Sequence, residues 1–131
     1  MSNKPTESEL QILRVLWRSG PSNVRTVNAA LSAEQNRAIG YTTTLKLLQL
    51  MFEKGLVSRE KEGRGHRYTA AIDRTETRGK LLDRLVDHLF EGSASQLVMQ
   101  ALGQHAPDAD ELAEIKTLIE RLERENSNDH E

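Results

Sequence analysis

A mostly helical chain with one small β hairpin and a separate helical tail is what three features of the sequence predict. The segment Ile39 to Tyr68, IGYTTTLKLLQLMFEKGLVSREKEGRGHRY, reads as a helix, a glycine stop and two short strands around a basic glycine turn. Beyond Asp73 the pattern changes to leucines at helical spacing. The charge changes sign at the same place: residues 1–74 hold 12 Lys and Arg against 7 Asp and Glu, and residues 75–131 hold 6 against 13. These features describe a winged helix-turn-helix domain over residues 1–73 followed by a helical dimerisation region over 74–131.

Each element has a local cause. Thr6 and Glu9 form a T-x-x-E capping box ahead of Leu10, Leu13, Val15, Leu16 and Trp17, so a first helix is expected over about Glu7 to Ser19. Gly20 ends it, and Pro21 blocks its continuation. Ser22 then opens a second helix with Val24, Val27, Ala30 and Leu31 inside, closing near Ser32. The polar stretch from Ala33 to Gly40 suits a turn. A third helix follows from about Tyr41 to Lys54, with Thr44, Leu47, Leu48, Met51 and Phe52 assigned to its buried stripe and hydroxyls of the threonine run available to cap it. Gly55 is its stop. Residues 56–70 form the wing, whose tip carries Lys61, Arg64, His66 and Arg67.

In the second half, a fourth helix from about Thr75 to Glu91 carries Leu82, Leu85 and Leu89, with Gly92 as its stop. Ser93 caps a fifth with Leu97 on its apolar side, and Asp108 caps a sixth with Leu112, Ile115, Leu118, Ile119 and Leu122. Three amphipathic helices of this length exceed what a small winged domain can cover, so these leucines and isoleucines are assigned to a homodimer surface. The polar end from Asn126 to Glu131 is expected to fray.

Composition narrows the function. With 37% hydrophobic, 4% aromatic and 29% charged residues, the profile is that of a helix-rich protein with long solvated faces. No apolar run reaches the length of a membrane span and the N-terminus lacks a hydrophobic signal region, so a cytoplasmic protein without membrane insertion is expected. Zero cysteines exclude disulfides, thiolate metal sites and thiol sensing. The histidines at 66, 88, 105 and 130 have no metal-ligand spacing, so neither metal nor cofactor is expected. There is no nucleophile elbow and no phosphate-binding glycine loop, and an enzyme is the weakest class.

The basic half, by contrast, suits a polyanion. Thr42 and Thr43 on the exposed side of the third helix are candidates for reading base edges, because a threonine can donate, accept, or touch the thymine methyl. Lys46 one turn later can reach either a guanine edge or a phosphate, and its lone flexible ammonium favours the phosphate. Arg64 and Arg67 on the wing are placed to neutralise phosphates or enter the minor groove, and Tyr41 either donates to a phosphate or packs half-buried. Trp17 belongs to the core. The competing assignment is a winged module that docks protein through Leu45 and Leu50.

Taken in order, Thr6-Glu7-Ser8-Glu9-Leu10 leading to Val15-Leu16-Trp17, Tyr41-Thr42-Thr43, Met51 with Lys54-Gly55-Leu56, and Gly63-Arg64 before Tyr68 are a distinctive series. Over residues 6–70 the chain resembles the penicillinase-repressor family of winged-helix repressors, the BlaI/MecI type. The resemblance implies a homodimeric transcriptional repressor on a promoter palindrome, with the third helix in the major groove of double-stranded DNA and the tail helices forming the dimer. It also implies that Thr42, Thr43 and Lys46 face bases or phosphates and that Arg64 and Arg67 lie near the backbone. A membrane sensor or protease that relieves repression is a further implied partner. Well-known members are cut at an Asn-Phe pair, and this sequence contains none.

Overall fold

The computed structural model describes residues 4–129. Its elements are α1 (Glu7–Ser19), β1 (Ser22–Asn23), α2 (Val24–Gln35), α3 (Tyr41–Lys54), β2 (Val57–Glu62), β3 (Gly65–Ala70), α4 (Arg74–Leu89), α5 (Ala94–Gln104) and α6 (Ala109–Asp129). Two compact units result, one up to Lys80 and the other from Leu81 onward. None of the helices among the described residues is long and apolar enough to cross a membrane.

The first unit is mostly helical with a small antiparallel sheet, as expected, although the sheet has three strands. Ser22 does not open a helix. With Asn23 it forms a short strand that pairs with Tyr68 and Arg67 of β3, giving the order β1-β3-β2. Asn23 then caps α2, accepting the Thr26 N–H at 2.9 Å. Such a two-residue strand lacks an alternating pattern of its own, and β3 supplies its partner. Helix α2 also runs past Ser32 to Gln35, because Asn36 adopts the left-handed conformation (φ 53°) that ends it.

The capping box on α1 forms in both directions: Glu9 N–H donates to Thr6 Oγ1 at 3.2 Å and Thr6 N–H donates to Glu9 Oε1 at 2.9 Å. Ile12, Leu13, Val15 and Leu16 of α1 then meet Val24, Val27 and Leu31 of α2, Leu48 and Met51 of α3, and Leu56, Val57 and Tyr68 of the wing base. Each such aliphatic side chain contributes about 1.5–3 kcal/mol by leaving water. Glu9 is buried beneath this layer, where it accepts two hydrogen bonds from Lys54 Nζ at 2.8 and 3.0 Å. Burial pushes the Glu9 carboxyl up, but the Lys54 ammonium and the Thr6 N–H outweigh it, and the net shift is below the ordinary carboxylate value. Trp17 is half-buried at the core edge, its indole N–H donating to the Ile72 carbonyl at 3.0 Å. Asp73 caps α4 through the Glu76 N–H, and Thr77 in its first turn is buried.

In the second unit the same kinds of local signal operate. Ser93 caps α5 through the Gln96 N–H at 3.2 Å. Asp108 and Glu111 form a reciprocal box on α6 at 2.8 and 3.1 Å. Helix α4 stops where Glu91 and Gly92 take positive φ. Contrary to the expected fraying from Asn126, α6 continues through Asp129; residues 130 and 131 lie outside those described.

Candidate nucleic-acid interface

Helix α3 is fixed from beneath by a polar staple. Asn28 of α2 donates from Nδ2 to the Ile39 carbonyl at 2.8 Å and to Thr44 Oγ1 at 2.9 Å, while Ser32 Oγ accepts the Ile39 N–H at 3.1 Å. The turn between the helices is therefore held at its α3 end, through both the N–H and the carbonyl of Ile39, by side chains of α2. Thr44, Leu48 and Met51 are buried. Phe52, expected in the same stripe, is instead 38% exposed. It sits about 100° around the helix from Met51, outside the sector that α1 and α2 cover. At the far end Gly55 takes φ 81°, a conformation that costs a Cβ-bearing residue energy, and its N–H closes the helix onto Met51 and Phe52 carbonyls.

The expected threonine cap is not made. Gly40 occupies the N-cap and no side chain caps α3. Gly40 lacks a side-chain acceptor, and Thr42 and Thr43 are already inside the first turn. Their hydroxyls consequently make no cap and stay at the surface, whereas Thr44 is committed to the staple. Tyr41, Thr42, Thr43 and Lys46 are all exposed. The full outward stripe is Thr42, Lys46, Gln49 and Glu53, spaced at three and four. Gln49 was missing from the sequence-based site, although its spacing from Lys46 was visible there. A glutamine amide can read adenine bidentately.

Beside α3 stands the wing. Arg64, at the tight Gly63 turn, is exposed. Arg67 is also exposed and donates from a guanidinium nitrogen to Glu62 Oε2 at 3.2 Å. The structure does not bring Arg67 to the side of the wing that touches α3: that side carries Arg59, whose guanidinium lies 3.9 Å over the Phe52 ring. Arg59 was not singled out from sequence, because its meeting with Phe52 depends on how the strand returns over the helix. Leu50 of the docking alternative is 41% exposed and Leu45 half-buried.

The residues assigned to dimerisation behave differently from the core. Leu82, Leu85, Leu89, Leu112, Leu118, Ile119 and Leu122 are between 42% and 70% exposed, and Leu97 and Ile115 are half-buried.

Comparison with known proteins is consistent across sequence and structure. The penicillinase repressor family profile matches residues 5–121. The transcriptional regulator BlaI of Mycobacterium tuberculosis is 31% identical over 122 residues, covering 92% of this chain and 86% of its own. The penicillinase repressor of Bacillus licheniformis is 23% identical, covering 88% of each chain, and the methicillin resistance regulatory protein MecI of Mammaliicoccus sciuri is 18% identical, covering 92% and 99%. Among solved structures, RosR of H. salinarum superimposes with a TM-score of 0.50 at 19% identity, covering 88% of this chain and 91% of that one, a likeness of fold. With a family profile spanning most of its length and a BlaI relative above 30% identity, this chain belongs to the penicillinase repressor family.

Proposed function

We propose that the chain is a sequence-specific, DNA-binding transcriptional repressor that acts as a homodimer on a palindromic operator. The observation that carries this reading is the outward face of α3: two exposed threonines released from capping, followed by Lys46 and Gln49, on a helix stapled from beneath and flanked by a basic wing. Family membership supports it, since relatives are named as regulators and repressors.

On this reading α3 enters the major groove. Thr42 and Thr43 meet base edges, Gln49 one to two turns later extends the readout, and Lys46 anchors a phosphate. Tyr41, at the start of the helix, presents its hydroxyl to the backbone. Arg64 at the wing tip supplies a further cationic contact. The exposed leucines and isoleucines of α4 and α6 form the dimer seam, which doubles the contact surface and imposes two-fold symmetry on the site. The acidic second half keeps that seam away from the phosphates.

Selection from a pool of random duplexes by the full chain tests the proposal. An inverted repeat should be enriched, with half-sites about one helical turn apart, roughly 10 base pairs. Thr42→Ala with Thr43→Ala should then flatten the preference at defined positions, while Lys46→Gln weakens binding to all duplexes alike. Enrichment of no sequence would sink the reading and bring the docking module forward.

A further inference from the structure

We propose that the wing is two-faced, with the side bearing Arg59, Lys61 and His66 turned to the DNA backbone and the side bearing Arg67 turned away. This inference rests on the repressor reading above and specifies how its wing engages.

The β2–β3 register carries the argument. Opposite residues of an antiparallel pair share a face. Val57 with Ala70, Arg59 with Tyr68 and Lys61 with His66 therefore line one side; Ser58 with Thr69, Glu60 with Arg67 and Glu62 with Gly65 line the other. Burial of Val57 and Tyr68 identifies the first side as the one that packs on the helices. Arg59 stacks on Phe52 of α3, and His66 lies against Tyr68 with ring centroids 6.2 Å apart, so both belong to that surface.

Chemistry separates the faces further. The α3 side bears a guanidinium, an ammonium and an imidazole, with no carboxylate among its strand residues. Duplex DNA lying along the outward stripe of α3 would meet this side of the wing, since Arg59 of that side is seated on Phe52 of α3. The other side holds Glu60 and Glu62 beside Arg67, and Arg67 is already bonded to Glu62. A phosphate approaching there would face two carboxylates and would have to displace one of them. The expected division is that Lys61 and His66 donate to phosphates, Arg59 both donates and fixes the wing against Phe52, and Arg67 with Glu62 stiffens the hairpin.

Fluorescence anisotropy on the duplex enriched by the full chain, across a salt series, tests this. Lys61→Gln should weaken binding several-fold and reduce the log–log salt slope by about 0.9, the loss of one neutralised phosphate. Lys61→Arg, which keeps the cation, should retain the wild-type affinity and slope, and His66→Gln should weaken binding. Arg67→Gln should leave the slope unchanged and affinity within about twofold, and Glu62→Gln should tighten binding by no more than about twofold, as distant exposed charges do. Thermal melts of each variant confirm folding; these wing-tip residues are at the surface. A lowered slope for Arg67→Gln with Lys61→Gln unchanged would overturn the inference while leaving the repressor reading intact. If no duplex is enriched, both fall together.

Discussion

The two halves of this chain are built from equally good helices but solve burial in opposite ways. In the winged unit, twelve apolar side chains from three helices and the wing base are buried in one cluster. In the unit from Leu81 onward, every apolar side chain described is exposed or at best half-buried, although α5 and α6 are capped as cleanly as α1. Capping and propensity are therefore insufficient to distinguish a unit that buries its apolar stripes from one that leaves them exposed. The distinction lies in whether the apolar stripes find each other within the chain, since tertiary packing rather than propensity supplies most helix stability.

The contrast can be broken or sharpened by substitution. The largest effect is expected from Leu85→Asp combined with Ile119→Asp. If these side chains form a seam between copies, sedimentation should show a monomer, and the concentration dependence of the melting temperature should vanish. An unchanged dimer would place the seam elsewhere. In the winged unit, Leu48→Ala should cost about 3 kcal/mol in chemical denaturation, the loss typical of a fully buried leucine, without altering oligomeric state. A loss below about 1 kcal/mol would mean that the core repacks freely.

Breaking the ion pair beneath α1 comes next. Lys54→Met leaves the Glu9 carboxylate buried without its cation, and a loss of about 2 kcal/mol is expected, the buried-pair figure reduced because Lys54 reaches solvent. Because the folded carboxyl lies below its ordinary value of 4.5, its contribution is complete above that pH and disappears as pH falls through the folded value. Wild-type melting temperature should thus drop on acidification below about pH 4.5, and Glu9→Gln should flatten that part of the profile. A parallel fall in both proteins would assign acid sensitivity to other carboxylates. The smallest effect is expected at Tyr68, whose buried hydroxyl has no hydrogen-bond partner among the described residues. Tyr68→Phe should be neutral or stabilising by up to about 1 kcal/mol, since it removes a desolvated group that gains nothing.

Much of this architecture was legible in the sequence, and particular residues explain where legibility stopped. Thr6 and Glu9 announce α1 because a capping box is a contact over three residues. Gly55 announces the end of α3 because the left-handed cap is a property of one residue. Ser22 and Asn23 did not announce β1, since a two-residue strand exists only against Tyr68 and Arg67, more than forty positions away. Phe52 was misassigned to the core because the periodicity of α3 gives the direction of its buried side but not the width that its neighbours cover. The threonine run illustrates both outcomes: its place at the head of α3 was plain, but which hydroxyl is tied to Asn28 and which two stay outside depended on the approach of α2.

From its sequence alone, this protein has the order of its helices and wing strands, the ends of α1 and α3, the polarity of its charge and its family likeness, because these depend on residues within a few positions of one another or on simple composition. The tertiary structure decided the third strand, the burial of Glu9 with Lys54 and the division of the wing into an Arg59 side and an Arg67 side. Strand side chains alternate with a period of two, and a slip of one residue in pairing would exchange the two sides. Only the register of β2 against β3, seated on α3 through Arg59 and Phe52, determines which of them lies toward α3.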